Sequence, residues 1–384
     1  MRRHKLLLLP AAVLLVAIQP LLASTVQVGT CIPNVQSYPT ISAAVSGVSA
    51  GSTVEVCPGG YAEQVTITQP LTLIGLKVGT ANQALITVPS AGLVQNTTSM
   101  FGEPVAAQIM VLGAGPVNIS NIAVDGTGGD LGCLSWIAGI FYGSGSSGTV
   151  SQVRASGQLD STCGVGIWAE NSTSSGQSVI IRDSSVYNVD SAGIFAGSGT
   201  TPSLSVAISN NVVNASAGIA GIDADSVTGS VVGNALGAAS PFGIFNLSGS
   251  TVSSNIIMGA TTGIFLGNGG TASGNNVSGA NLGVLLGASG ATVSNNRIMS
   301  SATAGLELGC FAAKVSGNFI NDAPIGVDSA MAVLGANTFA NTSVTVSHGC
   351  AVAAAAFRAS TAKVTRADVS EWHTPATPFG TRTK

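Results

Sequence analysis

Three acidic side chains in this sequence are of a type that could carry acid–base chemistry. Asp223 and Asp225 are two positions apart, and Glu170 occurs earlier in the chain. On a β-strand, residues two apart point to the same side, with their Cα atoms about 6.5 to 7 Å apart. An inverting glycosidase holds its two carboxyl groups about 6.5 to 9.5 Å apart. These residues are therefore candidate catalytic groups, although a solvated acidic face or a Ca²⁺ site would use the same residue types.

Aromatic side chains recur beside these carboxylates, each one directly after a Gly-aliphatic pair. We call the series at this position the outer row, and it comprises Phe141, Trp168, Phe195, Asp223, Phe245, Phe265, Leu285, Glu307 and Asp328. Flat rings suit the apolar faces of sugars, so Trp168, Phe195 and Phe245 are predicted to bind substrate. Asp190 and Arg182 are predicted to add polar contacts to the same substrate.

The expected spacing of the outer row suits an extended polysaccharide. Neighbouring strands of a sheet lie about 4.8 Å apart, which is close to the rise of one sugar unit along an extended chain. The alternative interpretation is that the rings pack beneath the long loops that follow Gly126, Gly143 and Asn171.

A sequence repeat sets the positions of these residues. Between Ser205 and Phe339, two anchors recur with a period of about 21 residues. One anchor is a Gly followed by an aliphatic residue, at Gly221, Gly243, Gly263, Gly283, Gly305 and Gly326. The other is an Asn, at Asn211, Asn234, Asn255, Asn275, Asn296, Asn318 and Asn337. Looser copies upstream, at Gly139, Gly166 and Gly193, are about 27 to 28 residues apart and must carry loops.

Short β-prone runs at this period are typical of one coil of a parallel β-solenoid. The aliphatic residue after each anchor Gly should point inward and stack on its neighbours, and the outer row should then point outward. The Asn anchors are interpreted as a structural ladder at a tight corner, because Asn tolerates the left-handed conformation and its side chain can bond from coil to coil.

The start of the chain predicts a secretory signal peptide over residues 1–23. A basic start is followed by an apolar segment over residues 6–22 and by the small Ala23, after which cleavage is expected. A retained membrane anchor is the alternative, but Pro10 and Pro20 shorten the usable span. We expect a β-helix domain over 24–350, a closing segment with a tail over 351–384, and no membrane span once the leader is removed.

Six Cys in an exported chain favour three disulfides, in an extracellular or periplasmic location. Chain order offers the pairs Cys31 with Cys57, Cys133 with Cys163, and Cys310 with Cys350. Other pairings of the six remain open. No Cys-x-x-Cys motif or Cys/His cluster occurs, which argues against a zinc site.

The charge of the expected domain argues against nucleic acid as a partner. From Ser24 to Cys350 there are 5 Lys plus Arg against 14 Asp plus Glu, a net charge of −9. Binding to phosphate backbones needs a basic face. A polysaccharide is the partner that the outer row predicts instead.

The first part of the expected domain carries a resemblance to a known family. Residues 31–75 read CIPNVQSYPTISAAVSGVSAGSTVEVCPGGYAEQVTITQPLTLIG. This stretch resembles the first segment of right-handed parallel β-helix proteins of the pectate-lyase-like superfamily, through Thr40-Ile41, Ala43-Ala44-Val45, Gly51, Val54 to Val56, Pro58-Gly59, Tyr61 and Leu71 to Gly75. The resemblance implies an all-β fold, a single-stranded right-handed parallel β-helix with about 20 to 28 residues per coil. Thr40 to Val48 should form a short N-terminal capping helix.

The catalytic motifs of that superfamily are mostly missing from this chain. Asn188-Val189-Asp190 and Asp223-Ala224-Asp225 only partly match the polygalacturonase motifs, and the pectin methylesterase pattern is absent. Three classes of function therefore stay open: a polysaccharide-binding protein, a glycoside hydrolase or polysaccharide lyase, and a non-enzymatic surface or adhesive protein. No organic cofactor is expected, whereas the acidic residues are of a type that can bind Ca²⁺.

Overall fold

The computed structural model describes residues 22–77, 84–173, 175–199, 203–215, 218–237 and 240–349. The fold is a right-handed parallel β-helix with one short helix near its start, as the sequence predicts. Nearly all strand pairs are parallel, and each strand pairs with the equivalent strand of the next coil.

The elements of the first part of the chain are β1 (Thr25–Val28), β2 (Ser37–Tyr38), α1 (Ile41–Gly47), β3 (Ser52–Val56), β4 (Gly59–Ala62), β5 (Val65–Ile67), β6 (Leu71–Gly75), β7 (Ala84–Thr87), β8 (Thr97–Thr98) and β9 (Pro104–Val111). The longer coils follow, with β10 (Val117–Ser120), β11 (Ile122–Asp125), β12 (Trp136–Tyr142), β13 (Gly148–Ser151), β14 (Arg154–Ser156), β15 (Gly164–Asn171), β16 (Gln177–Arg182), β17 (Ser185–Tyr187), β18 (Ala192–Ser198), β19 (Leu204–Ser209) and β20 (Val212–Asn214).

The regular coils contain β21 (Ala220–Asp225), β22 (Thr228–Val232), β23 (Ala235–Gly237), β24 (Phe242–Asn246), β25 (Thr251–Ser253), β26 (Ile256–Met258), β27 (Thr262–Leu266), β28 (Thr271–Ser273), β29 (Asn276–Ser278), β30 (Leu282–Leu286), β31 (Ala291–Ser294), β32 (Arg297–Met299) and β33 (Ala304–Gly309). The last strands are β34 (Ala313–Ser316), β35 (Phe319–Ser329), β36 (Val333–Leu334) and β37 (Thr338–Ser347).

Each regular coil contributes one strand to each of three faces. The front face is the ladder through β9, β12, β15, β18, β21, β24, β27, β30, β33 and the second half of β35. The back face runs through β10, β13, β16, β19, β22, β25, β28, β31 and β34, and the short face runs through β11, β14, β17, β20, β23, β26, β29 and β32. The outer row lies on the front face.

The core is a closed stack of aliphatic side chains, as the repeat predicts. Ile222, Ile244 and Ile264 are in register on successive front strands, and none of the three is exposed to solvent. Removing one such side chain from water contributes about 1.5 to 3 kcal/mol relative to an exposed position. The stack is long enough to explain the high hydropathy of the chain without a membrane span, and among the described residues no helix is long and apolar enough to cross a membrane.

The Asn anchors form the structural ladder that the repeat predicts. The Asn234 side chain donates through Nδ2 to Oδ1 of Asn255 at 3.0 Å, and Asn255 donates in the same way to Asn275 at 2.9 Å. Each Oδ1 also accepts the backbone N–H of the preceding anchor, so these buried amides are satisfied. The left-handed residue is the one before the anchor, such as Ser254 with φ 56°, and this position differs from the expected one.

The capping helix is also confirmed. Thr40 caps α1 by accepting the N–H of Ala43 at 3.0 Å, and the Glu63 carboxylate accepts the N–H groups of Ile41 and Ser42 at 2.8 and 2.9 Å. Ile41, Ala44 and Val45 are the buried residues of α1. The helix therefore closes the first coil with its apolar side.

Two of the expected disulfides are present, Cys31–Cys57 and Cys133–Cys163. The expected pair of Cys310 with Cys350 involves a residue outside the described part of the chain. Most of the expected signal peptide and the closing segment with its tail also lie outside the described residues, so these assignments stay predictions.

Candidate functional site

The strand register aligns the outer row as the repeat predicts. Trp168 pairs with Phe195, Phe195 with Asp223, and Asp223 with Phe245 on successive front strands. The row continues in register through Phe265, Leu285, Glu307 and Asp328. These side chains therefore follow one another at about the strand spacing of 4.8 Å.

The expectation that the aromatic members of this row face solvent is wrong. Trp168 is 2% exposed, and Phe195 and Phe245 are each 1% exposed. They lie outside the main core, in two separate apolar clusters on the front face. The rings are thus available as structural support and not as an open platform for sugars.

The first cluster is covered by loops, which was the alternative interpretation. The Trp168 ring packs edge-on against Trp136 at 5.7 Å and against Phe195 at 5.3 Å between ring centroids. Phe101 lies over Phe195 at 6.2 Å, on a turn closed by the Ser99 N–H to Glu103 carbonyl hydrogen bond. We call residues 99–103 the cover loop. It precedes the loops that the sequence suggested.

The second cluster surrounds Phe245. Its ring lies 4.7 Å from that of Phe242 and stacks at 4.9 Å on Phe265. The Phe265 ring lies back over Gly267, two residues further along the chain, because a Cβ on Gly267 would come within 3.1 Å of this ring. All the described members of this cluster come from the front face and its margins.

Asp223 sits in this row between Phe195 and Phe245 and is 1% exposed. Neither carboxylate oxygen has a hydrogen-bond partner among the described residues. Burial raises the pKa of Asp223 well above its usual value, and the nearby charge of Asp225 adds to the rise. Burial therefore favours the neutral form of this side chain.

Asp225 is half-buried at the end of the same strand and accepts a hydrogen bond from the Ser226 hydroxyl at 2.9 Å. Burial raises its pKa, whereas the Ser226 hydrogen bond lowers it. The structure thus brings the two predicted catalytic Asp residues together on one strand, with only Asp225 near the surface.

Glu170 is two strands away from Asp225, because Gly197 pairs with both residues. Its oxygens accept the Met100 N–H at 2.7 Å and the Trp168 Nε1–H at 3.0 Å. Burial raises its pKa to about 8, although both hydrogen bonds act in the opposite direction. In this structure Glu170 ties the cover loop to Trp168.

Asp190 and Arg182 are not part of the outer row. Asp190 accepts the backbone N–H of Asp160 at 2.6 Å and that of Gly164 at 2.8 Å, which fixes the loop before β15. Arg182 ends β16 on the back face, is half-exposed and pairs with Asp183 at 2.7 Å. The expected cooperation of these residues with Trp168 is therefore not what the structure shows.

A second acidic pair was part of the outer row but was not singled out as a site. Glu307 and Asp328 are paired on adjacent strands, and neither is exposed. Both oxygens of Glu307 and one of Asp328 have no hydrogen-bond partner among the described residues. Burial raises the pKa of Glu307 to about 8, with a further contribution from Asp328.

An open cleft lies at the corner between the front and back faces, directly after Asp225. We call it the notch. Its volume is about 480 Å³, and its lining includes Ser226, Thr228, Leu247, Thr251 and Asn268. Thr228, Thr251 and Asn268 are exposed, so their polar groups face the cleft from a surface position.

Corner lengths explain the notch. Two residues connect Asp225, the end of β21, to Thr228, the start of β22, whereas four residues, 247–250, connect β24 to β25 in the next coil. Asn246 fixes the conformation of the corner at residues 247–250, because its Oδ1 accepts the Ser248 N–H at 3.1 Å and the Ser250 hydroxyl at 3.0 Å. The short corner beside this longer one leaves the gap that forms the notch.

Among the described residues, no metal cluster supports the Ca²⁺ site that the sequence left open as an alternative. Across residues 22–349, apart from the short undescribed segments, no group of three or more His, Cys, Asp or Glu is arranged to hold a metal ion. Calcium binding remains a prediction for the acidic residues.

Comparisons with known proteins agree on the architecture. No protein-family profile matches the sequence, and no curated protein is similar to it. The structure is similar to the GH136 lacto-N-biosidase of Eubacterium ramulus, with TM-score 0.57 and 11% identity over 83% of this chain and 68% of that one. Weaker similarities are to the Azotobacter vinelandii mannuronan C-5 epimerase AlgE6 A-module (TM-score 0.44, 17% identity, 80% and 90% covered) and to the tailspike protein gp49 of the Acinetobacter baumannii bacteriophage Fri1 (TM-score 0.41, 11% identity, 77% and 57% covered). At such identities, the likeness concerns the fold alone.

Proposed function

We propose that this is an exported protein that binds polysaccharide at the notch, with Asp225 at its edge. The observation that carries the proposal is the notch itself, an open cleft of about 480 Å³ with both polar and apolar groups in its lining, which begins at Ser226 directly after Asp225. Sugars are recognised by hydroxyl, amide and carboxylate groups that exchange hydrogen bonds with their hydroxyls. Thr228, Thr251 and Asn268 supply the first two kinds of group from the lining of the notch. Asp225, which directly precedes the lining residue Ser226, would supply the third.

The geometry of the coil supports an extended ligand. The notch spans neighbouring coils, whose strands are about 4.8 Å apart, so successive sugar units would meet successive coils. The outer row is then a structural support and not the sugar-contacting surface that the sequence predicted. Its buried rings support the strand that bears Asp223 and Asp225, and they do not contact the sugar.

Export is proposed on the Cys content and the apolar leader. Cys31–Cys57 and Cys133–Cys163 are disulfides, which persist in oxidising compartments. The similarity to a lacto-N-biosidase is one of fold, so it supports the class of ligand only as an analogy.

A screen of polysaccharides tests the proposal. Native gels containing one soluble polysaccharide each should slow the protein in at least one case, compared with a gel without polysaccharide. A panel of plant and bacterial polysaccharides that leaves the migration unchanged throughout would contradict it, and would favour a structural surface protein.

Hydrolysis of a glycosidic bond is the second candidate function. Asp223 and Asp225 lie on one strand, and burial raises the pKa of both, which is the direction of shift that suits a general acid. The retained polysaccharide should then gain reducing ends, and Asp225→Asn should stop this while retention continues. Unchanged turnover in Asp225→Asn would remove this residue from the reaction, and a product with a new double bond would indicate a lyase instead.

A further inference from the structure

The outward side of the back face carries two rows of hydroxyl side chains. The first row lies in register on β25, β28 and β31 and comprises Thr251, Thr271 and Thr292. The second row lies two residues further along the same strands and comprises Ser253, Ser273 and Ser294. We call these six side chains the hydroxyl array. Because the register does not shift between these three strands, both rows run along the axis of the β-helix.

The hydroxyl array is open to solvent. The residues that separate its two rows are Val252, Ala272 and Val293, and none of them is exposed. By contrast, Thr251 is exposed and the other five members of the array are partly exposed. Among the described residues, the six hydroxyls have no hydrogen-bond partner, whereas the nearby Ser248 and Ser250 hydroxyls are both bonded to Asn246. The array therefore presents free hydroxyl groups to the outside.

The chain around the hydroxyl array carries no charge. Residues 226–296 contain no Asp, Glu, Lys, Arg or His, although the expected domain as a whole is acidic. The surfaces of soluble proteins usually carry charged side chains of both signs, which keep them hydrated and apart from one another. An exposed sheet of hydroxyls without charges is suited to a neutral ligand, and its two regular rows are suited to a ligand that repeats in two directions.

The spacing of the hydroxyl array is close to that of water in ice. Residues of one row are about 4.8 Å apart, and the two rows are about 6.5 to 7 Å apart at Cα. Each water in ice makes four tetrahedral hydrogen bonds of about 2.75 Å, which place second-neighbour oxygens about 4.5 Å apart and give a repeat of about 7.3 Å along the stacking axis. Both spacings thus agree with the lattice to within about a tenth.

We propose that the hydroxyl array binds the surface of ice crystals. A hydroxyl group donates and accepts hydrogen bonds as a lattice water does, so each member of the array can take the place of one water at the crystal surface. The strands hold the six groups in fixed positions, which lowers the entropy cost of binding them all at once.

The regularity of both rows favours a crystal surface over a dissolved glycan. A single glycan chain would follow one row, whereas the surface of a crystal meets both rows together. The inference does not depend on polysaccharide binding at the notch, although Thr251 belongs to the array and also lines the notch.

Partitioning of the full chain into growing ice tests the proposal. Ice is grown slowly from a stirred solution, and the protein concentration in the ice is divided by that in the remaining liquid. Wild type should have a higher ratio than an unrelated acidic protein of similar size. Thr271→Lys/Thr292→Lys removes two hydroxyls and adds two charged side chains, so it should lower the ratio about tenfold.

The matched control is Asn276→Lys/Ser278→Lys, which adds the same charges to β29 on the short face and should partition like wild type. Melting temperatures show whether each variant is folded, and Thr292→Ala/Ser294→Ala is the smaller change to use if the first variant is unstable.

Exclusion of wild type from ice to the same extent as the unrelated protein would overturn the proposal. Equal partitioning of wild type and the folded Thr271→Lys/Thr292→Lys variant would also overturn it. If that variant instead lost its retention by polysaccharide while its partitioning into ice stayed unchanged, the back face would be a glycan-binding surface and the ice proposal would be wrong.

Discussion

Asp223 lies between Phe195 and Phe245 with neither oxygen hydrogen-bonded to a described residue. Burial favours its neutral form, so its pKa is raised. For an acid, a folded-state pKa above the unfolded value means that the native state holds the proton more tightly. The contribution of this group to the free energy of unfolding is then fully present at pH values below the unfolded pKa, and it is lost as the pH rises towards the folded pKa.

This pH dependence of the Asp223 contribution leads to a prediction about stability. Asp223→Leu, which places at this position the residue found at Leu285, should raise the melting temperature at pH 7.5, because one pKa unit corresponds to about 1.4 kcal/mol. The gain should shrink as the pH falls and vanish below the unfolded pKa of about 3.9, where the wild-type carboxyl is protonated in both states. Glu55→Leu, on a half-exposed position of β3, is the matched control and should show a much smaller gain at either pH.

An equal or lower melting temperature of Asp223→Leu at pH 7.5 would show that the carboxylate is charged and has a partner. In that case a cationic group would be expected over the outer row at this point.

At the scale of elements, the Gly-aliphatic and Asn anchors were enough to predict the coils, the register and the inward stack. This is because both anchors are local requirements, repeated in each coil and independent of the distant chain. The exposure of the outer row could not be predicted in the same way. Its cover includes Phe101 and Met100 of the cover loop, and Met100 lies 70 residues before Glu170, its hydrogen-bond partner.

The corrected position of Trp168 reverses an expectation about its removal. An outward ring in solvent could be deleted without loss of fold, whereas Trp168→Ala in this structure removes a side chain that contacts Trp136, Phe141 and Phe195. We expect a loss of about 3 to 5 kcal/mol in the free energy of unfolding, measured by chemical denaturation. Ile256→Ala, on a half-exposed position of the short face, should cost less than about 1 kcal/mol. Similar losses in the two variants would restore the solvent-facing interpretation.

At the scale of the whole molecule, the notch arises from differences between neighbouring coils. The corner between β21 and β22 is short because β22 begins early, at Thr228. The spacing from the anchor Gly to the anchor Asn is nearly the same in this coil and the next, so the repeat itself does not reveal the shorter corner. The sequence therefore predicted the presence of acidic residues at this level of the β-helix but not the cleft beside them. Asp225 was identified from its residue type, whereas Thr228, Thr251 and Asn268 gave no signal of their own.

The central claim is that polysaccharide binds at the notch, and paired substitutions on one face test it most directly. Thr228→Ala/Thr251→Ala removes two exposed hydroxyls from the notch, whereas Thr271→Ala/Thr292→Ala removes two hydroxyls in register with Thr251 on the next coils. The measurement is the dissociation constant from affinity electrophoresis on the polysaccharide that retains wild type. Because each lost hydrogen bond is worth about 0.5 to 1.5 kcal/mol, the first variant should bind about tenfold more weakly and the second like wild type. Equal binding by both variants and wild type would contradict the claim.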